Sequence, residues 1–305
     1  MVELSKEKFK IIGCENSDSE EILRPNITYW QDAWRRLKQN KVAILSLVIL
    51  LIIGLMTVIG PYLTTFDYQV NDSAFRNVKP NLVHWFGTDN LGRDLWARTW
   101  KGGRVSILIG LIGTLIDLTA GSVYGGISGY FGGLVDDIMM RVVEILVSIP
   151  YLLIVILISL VLGHGMMSLI IAMTVTGWCG MARIIRGQLL QIKEQEYVMA
   201  AQALGAKSSR IIAKHLIPNT LGIIIVYITF DVPGFIFAEA FLSYIGLGVQ
   251  SPNTSWGALS AAAQQLLMFY PYQLFFPTLM ISLTMLSFNL LGDGLRDSLD
   301  PRLRQ

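Results

Sequence analysis

Three carboxylates stand in stretches that are otherwise almost free of charge. Asp117 lies in a glycine-rich apolar run, and Asp231 and Glu239 share a second run that also holds Pro233 and Gly234. An ionised side chain at the centre of a bilayer costs about 3 kcal/mol or more unless it faces water or protein. Acids kept at that cost line a polar path or relay protons, or they pair with groups on neighbouring spans or on a second subunit. A polar helix interrupted by Pro and Gly is the pattern found at membrane substrate paths. The residues alone leave both readings open. Asp117, Asp231 and Glu239 are the candidates for lining a translocation path.

Other reactive groups lead nowhere catalytic. Gly126-Ile127-Ser128-Gly129 matches the Gly-x-Ser-Gly string of rhomboid-type intramembrane proteases. A serine nucleophile there needs a base at membrane depth, and His84, His164 and His215 all lie at or beyond the ends of apolar runs. Small residues at this spacing serve close helix packing. There is no Gly-x-x-x-x-Gly-Lys-Ser/Thr phosphate loop, so ATP hydrolysis is not expected of this chain. Cys14 and Cys179 imply no disulfide framework. We therefore expect no catalytic residues, no metal and no bound cofactor.

The elements that hold these residues follow from composition. Of 305 residues, 53% are hydrophobic and only 15% charged, with a net charge of +2. A soluble domain carries about a quarter of its residues as charges, and a near-neutral chain gives no sign of a nucleic-acid partner. The pattern is that of an all-α polytopic membrane protein. Apolar runs long enough for spans of about 20 residues fall at 42–63, 105–132, 140–162 with a kink at Pro150, 167–184, 221–242 and 274–291. Ahead of the first, Trp30, Trp34, Arg35, Arg36, Lys38 and Lys41 form a basic, Trp-bearing interfacial helix. Asp94 and Arg98, four apart, are expected to pair on a helix outside the membrane.

Orientation comes from the polar insert between the fourth and fifth spans. Arg183, Arg186, Lys193, Lys207, Arg210 and Lys214 outnumber Glu194 and Glu196 there. The loop between the fifth and sixth spans has no Lys or Arg. The positive-inside rule places the insert, and with it both termini, in the cytoplasm. Locally the insert reads as two short helices. The first runs through Ala200, Ala201, Ala203 and Leu204 and ends at Gly205, free to adopt positive φ. The second carries Ile211, Ile212, His215 and Leu216 on one face and closes at Pro218. That face either lies on the lipid headgroups or belongs to a knob that docks a soluble partner.

Four strings spread over the chain carry a resemblance. Ala200, Ala201, Gly205 and Pro218 match the Glu-Ala-Ala, three residues, Gly, nine residues, Ile-x-Leu-Pro loop of bacterial ABC-importer permeases, with Met199, His215 and Ile217 departing from it. Phe86-Gly87-Thr88-Asp89-Asn90-Leu91-Gly92-Arg93-Asp94 resembles a signature of the peptide and nickel branch of those permeases. So do the run from Leu242 to Gly248 with Ser255-Trp256-Gly257, and the tail from Gly292 to Pro301. The sequence is thus similar to C-type permease subunits of oligopeptide, dipeptide and nickel ABC importers.

The resemblance implies a six-helix permease of the type I, MetI-like kind. Its parts would be a cytoplasmic tail and interfacial helix at 1–41, a first span at 42–63, and an extracytoplasmic segment at 64–104. A five-helix core at 105–292 with a coupling loop at 185–219 and a cytoplasmic tail at 293–305 would follow. Glu196, Ala200, Ala201, Gly205, His215 and Pro218 would contact the ATPases. Implied partners are a B-type permease, two ABC ATPase subunits that carry ATP and magnesium, an extracytoplasmic peptide-binding lipoprotein, membrane lipids and the peptide. The setting would be a bacterial inner membrane, and the mechanism alternating access. A dipeptide or nickel importer is the alternative within the family, and a proton-coupled secondary transporter the alternative outside it.

The charge asymmetry makes a direct prediction. In a variant lacking Cys14 and Cys179, Gln250→Cys should react with a membrane-impermeant thiol reagent applied to intact cells. Lys207→Cys should react only after permeabilisation. The opposite labelling would invert the topology.

Overall fold

Asn40 starts the first span by accepting hydrogen bonds on its side chain from the backbone N–H groups of Val42 and Ala43, each at 3.1 Å. A computed structural model describes residues 28–300 apart from the side chains of Ser209, Ala213, His215, Ile217 and Pro218. Residues 1–27 of the N-terminal tail, and the end of the chain from Pro301, lie outside the described residues. Among the described residues the fold is helical, with no named strand. In order come α1 Tyr29–Gln39, α2 Lys41–Ile59, α3 Leu95–Phe131, α4 Gly133–Ser148, α5 Tyr151–Leu162 and α6 Met166–Lys193. They are followed by α7 Glu196–Ala203, α8 Ser208–Ile211, α9 Ile217–Tyr244, α10 Trp256–Gln264 and α11 Pro271–Leu299. Among the described residues five helices are long and apolar enough to cross a membrane, or six if one bent pair counts as a span.

That bent pair corrects the third expected span. The chain does not run straight from 140 to 162: α4 and α5 meet at an angle of 80°. Ile149 is extended at the break, with φ −87° and ψ 130°. A residue before proline is pushed out of the helical region, and proline itself has no N–H to give. Neither half is long enough alone, since the 12 residues of α5 reach only about 18 Å. The second span also starts earlier than expected. Asp94 caps α3 through the Ala97 N–H at 2.9 Å, and the 37-residue helix is about 55 Å long, so it extends well past a hydrocarbon core of about 30 Å.

α6 is the central helix. In its most apolar stretch 56% of residues are buried within the chain, against 22% for both α2 and α11. The contact that centres it is with α3. Gly121, Gly125 and Gly129, one turn apart, face α6 so closely that a Cβ on Gly121 would sit 2.7 Å from the Trp178 carbonyl oxygen. At Gly125 a Cβ would overlap the Ala182 carbonyl, and at Gly129 it would lie 3.0 Å from the Arg186 carbonyl. In lipid, helices associate by such packing rather than by excluding water. The Gly-x-Ser-Gly string is therefore part of this seam. Ser128 donates to the Asp136 carboxylate, which Arg186 also holds from α6. His84 is occupied elsewhere, 2.9 Å from Asp94.

The first and last described helices, α1 and α11, meet at one side. The Tyr29 hydroxyl of α1 donates to the Leu299 carbonyl at the end of α11, at 2.9 Å. Leu37, Ala43 and Leu291 pack together beneath it. Trp30 and Trp34 stay exposed on α1, as expected of an interfacial helix.

Adjacent glycines give the seam its test. Gly125→Leu drives a side chain into the α6 backbone, an overpacking cost of about 2 kcal/mol or more, and should lower the melting temperature of the purified protein. Gly126→Leu meets nothing within 4 Å and should not. Equal melting temperatures for the two would refute the seam.

Candidate functional site

Two of the three intramembrane acids come together. Asp117 of α3 and Asp231 of α9 line a cavity of about 270 Å³ with Tyr151, Thr176, Gly177, Gly234 and Phe235. Four spans thus meet at mid-helix: α3, the start of α5, α6 and α9. Glycine shapes the site twice. Gly177 brings the α6 backbone so near that a Cβ would collide with the Asp117 carboxylate, whereas a Cβ on Gly234 would meet only open space. Asp117 is 1% exposed, and its Oδ1 has no hydrogen-bond partner. Asp231 Oδ2 and Thr176 Oγ1 are likewise unpartnered. Among the described residues no Lys or Arg forms an ion pair with either aspartate.

Glu239 stands apart from that pair and does not line the cavity. It is fully buried and enclosed by donors. Ser106 of α3 gives its hydroxyl at 3.1 Å, Ser243 one turn along α9 at 2.7 Å, and Ser255 at 2.5 Å. Two of these serines also bind α10 and the residue that begins it. Ser106 accepts from the Trp256 N–H at 3.1 Å, and Ser255 caps α10 through the Ala258 N–H at 3.0 Å. Trp256 is itself fully buried, its indole N–H on the Thr99 carbonyl at 2.8 Å. Glu239 thus fastens α3, α9 and α10 to one another at one end of the bundle.

The same end holds the Phe86–Asp94 string, and the expected Asp94–Arg98 pair does not form. Asp94 is spent on the α3 cap and on His84. Arg98 turns to Asp89 at 3.5 Å and to the Tyr68 carbonyl at 2.8 Å. Asp89 also holds Arg93 at 2.7 Å and accepts from the backbone N–H groups of Leu91 and Arg93. Gly92, at φ +79°, passes so close to the Asp72 carbonyl that no side chain fits. The string builds a rigid cap for α3.

At the opposite end the polar insert folds back onto the bundle. α7 ends in a Schellman turn: the Gly205 N–H reaches the Gln202 carbonyl at 2.9 Å and the Ala206 N–H the Ala201 carbonyl at 3.0 Å. Gly205 has φ +77°, as its position after the helix predicts. Beyond it the second helix does not close at Pro218. α8 passes through a π-helical turn, Ile212–Leu216, directly into α9. Proline at 218 crowds the carbonyl four residues earlier in a regular helix, and the widened turn relieves that. Val198, Ile211 and Leu216 are buried against Met181, Ile185 and Leu189, so the amphipathic face is taken up by α6. Such burial contributes about 2 kcal/mol per side chain. Lys193 ties the loop to Tyr130, with its Nζ 2.7 Å from the carbonyl. Glu196, Ala200 and Gly205 remain exposed, Ala201 is half-buried, and Leu204 is 89% exposed. The side chains of His215 and Pro218 lie outside the described residues.

Comparison with known proteins fits this geometry. Residues 121–305 match the model of the binding-protein-dependent transport system inner membrane component, and residues 28–80 match the N-terminal TM domain of oligopeptide transport permease C. The chain is 51% identical to the dipeptide transport system permease protein DppC of Bacillus subtilis, over 95% of this chain and 91% of that protein. It is 48% identical, over the full length of both, to the oligopeptide transport system permease protein OppC of the same organism. The OppC of Escherichia coli K12 is 41% identical over 90% of this chain and 92% of its own. This chain belongs to the inner-membrane permeases of binding-protein-dependent transport. The fold agrees: a chain of the MetNI methionine ABC transporter, in an inward-facing conformation, superposes with a TM-score of 0.55 at 17% identity, over 67% of this chain and 96% of that one.

The permease keeps its polar groups in two environments that sequence alone does not separate. Glu239 and Asp231 lie eight residues apart on one helix, yet only the first is enclosed by three serine hydroxyls. Ser106 and Ser255, which decide this, come from distant segments. Tyr151 and Thr176 were missed at the cavity, since neither differs in sequence from an ordinary helix residue.

Glu239 supplies a test. Glu239→Ala strands three hydroxyls and leaves a void, each an effect of about 1–3 kcal/mol, so the purified permease should melt at a markedly lower temperature. Glu239→Gln, which keeps an acceptor and the volume, should melt between the two. An unchanged melting temperature for Glu239→Ala would return Glu239 to the list of path residues.

Proposed function

We propose that the permease forms one half of the channel of an ATP-driven oligopeptide importer, and that the loop at 185–219 is where its ATPase partners dock. The observation that carries the docking is the fate of the amphipathic face. Ile211 and Leu216 are buried within the chain, so these two residues of the face are not free to lie on lipid headgroups. What it offers to water is a short capped helix with exposed Met199, Ala200 and Leu204. Small residues there let another backbone approach closely, and Leu204 is a compact anchor for a pocket.

In this reading a B-type permease supplies the other half of the path, and a peptide-binding lipoprotein delivers substrate outside. Two ATPases carry ATP and magnesium. Both termini and the loop face the cytoplasm of a bacterial cell, in line with the surplus of Lys and Arg in the loop. The oligopeptide reading is supported by the match of residues 28–80 to the N-terminal domain of oligopeptide permease C, and by the relative of that name that aligns over the full length of both chains. Closure of the ATPases would displace the loop and tilt the spans between inward- and outward-open states.

The experiment is uptake by proteoliposomes holding the assembled importer. A labelled oligopeptide with its binding protein outside should enter only when ATP is trapped inside, and not when the ATPase subunits are omitted. Gly205→Arg should insert normally, because a Cβ there meets open space and the positive φ costs about 1 kcal/mol locally. It should nevertheless abolish uptake and co-purification of the ATPases. Normal uptake by Gly205→Arg would overturn the docking, and absence of ATP-dependent peptide entry by the wild type would overturn the function.

A further inference from the structure

The cavity at Asp117 and Asp231 is short of donors. Its walls offer two carboxylates and the Thr176 hydroxyl, with Asp117 Oδ1, Asp231 Oδ2 and Thr176 Oγ1 all buried and unpartnered. The hydroxyls of Thr114 on α3 and Tyr227 on α9 turn to Asp231, and still leave Asp117 Oδ1 and Asp231 Oδ2 without a donor. The remaining walls are glycine and aromatic. Unpaired buried polar atoms are costly, and a deficit of one sign names the complement that relieves it. Here the complement is cationic and rich in N–H donors. A divalent metal fits poorly: among the described residues no three His, Cys, Asp or Glu side chains come together to hold one.

We propose that this cavity receives a protonated primary amine, the α-ammonium terminus of the transported peptide. The inference rests on the peptide-import reading above. An ammonium presents three donors and no acceptor, which matches two carboxylates and a hydroxyl. Charge-assisted hydrogen bonds of this kind are the strong ones. Size agrees as well. At about 270 Å³ the space exceeds the roughly 30 Å³ share of a water molecule several-fold, yet it takes only the first residue of a peptide. Gly177 and Gly234 leave it open on two sides, where any larger residue would press on Asp117 or fill the gap. Tyr151, at the break between α4 and α5, gives the aromatic wall on which a cation can rest. Because the rest of the peptide lies outside the cavity, its side chains go unread, and an importer of varied peptides gains one fixed handle.

The test is protection from dicyclohexylcarbodiimide, which adds to carboxyl groups in apolar surroundings and leaves a stable N-acylurea. The assembled importer in detergent is treated with it, and adducts on Asp117 and Asp231 are quantified by peptide mass mapping. A saturating Lys-free tripeptide with a free amino terminus should cut labelling at both aspartates about tenfold, as expected at about ten times the dissociation constant. The same tripeptide with an acetylated terminus should not protect. An acetylated tripeptide ending in Lys separates the two sources of ammonium. Protection by it shows that a side-chain amine serves too, and no protection shows that the terminus is required. Equal protection by the free and acetylated Lys-free peptides, protection by neither, or no labelling of either aspartate would each overturn the proposal. Peptide uptake is measured on the same importer reconstituted into proteoliposomes with ATP inside. Uptake without selective protection defeats the ammonium site alone, whereas absence of uptake defeats the transport reading.

Discussion

In hydrocarbon two helices gain nothing by excluding water, so the distance between α3 and α6 is decided by what stands between their backbones. Gly121, Gly125 and Gly129 put nothing there, and α6 comes within contact of the α3 backbone along three turns. Other features of the bundle depend on that approach. Arg186 reaches the Asp136 carboxylate, which Ser128 also binds, only because α6 lies close at this level. The C-terminal half of α6 then presents Met181, Ile185 and Leu189 to the polar loop, which folds onto them. The N-terminal half presents Ile170 and Met173 to α5 and α9. A helix held 2 Å farther away would lose both the ion pair and the loop's seat.

Much of this was legible in the sequence, and the physics says which part. Composition and apolar run length fix an all-helical membrane chain, because nothing but a closed hydrogen-bond pattern survives in lipid. Gly205 announces its left-handed turn because the helix formers before it must end somewhere and glycine pays no Cβ penalty there. The break at Pro150 was visible as a kink but not as an 80° turn, since proline removes a hydrogen bond without saying where the freed chain will pack. The Asp94–Arg98 spacing misled for a related reason. Asp94 stands at the helix cap, where its carboxylate is claimed by the Ala97 N–H and by His84, and i,i+4 rules hold only inside a helix.

The three acids show the limit most clearly. Asp231 and Glu239 are both carboxylates in apolar surroundings, and helix periodicity places them about two turns apart. Three serine hydroxyls neutralise the cost of burying Glu239; nothing comparable is offered to Asp117 Oδ1. The distinction lives in tertiary contacts of long sequence separation, such as Ser106 to Glu239. A pattern search on one helix cannot see them. Their consequence is functional all the same: one acid holds the bundle shut at its capped end while the other two face an open space at its middle.

The two ends of the bundle are joined to that middle by unbroken helix. From the π-helical turn at Ile212–Leu216, α9 continues without interruption to Asp231, a rise of about 21 Å from Ile217. α6 runs in one piece from the loop's seat at Leu189 back to Thr176. Both helices therefore connect the insert to the cavity wall with no flexible joint between. Pro233 lacks the N–H that would reach the Thr229 carbonyl, so the weak turn of α9 is the one that carries Asp231. Beyond it Glu239 clamps the remainder of the helix to α3 and α10. A push on the insert would thus be delivered along α9 to the turn at Asp231 and absorbed there. The carboxylate pair bridges α3 and α9, so a shift of one of these helices along the other would change the distance between Asp117 and Asp231. A site whose two charges separate in one state and converge in the other binds a cation with different affinity in each, which is the condition an alternating-access path must meet to release what it has taken up.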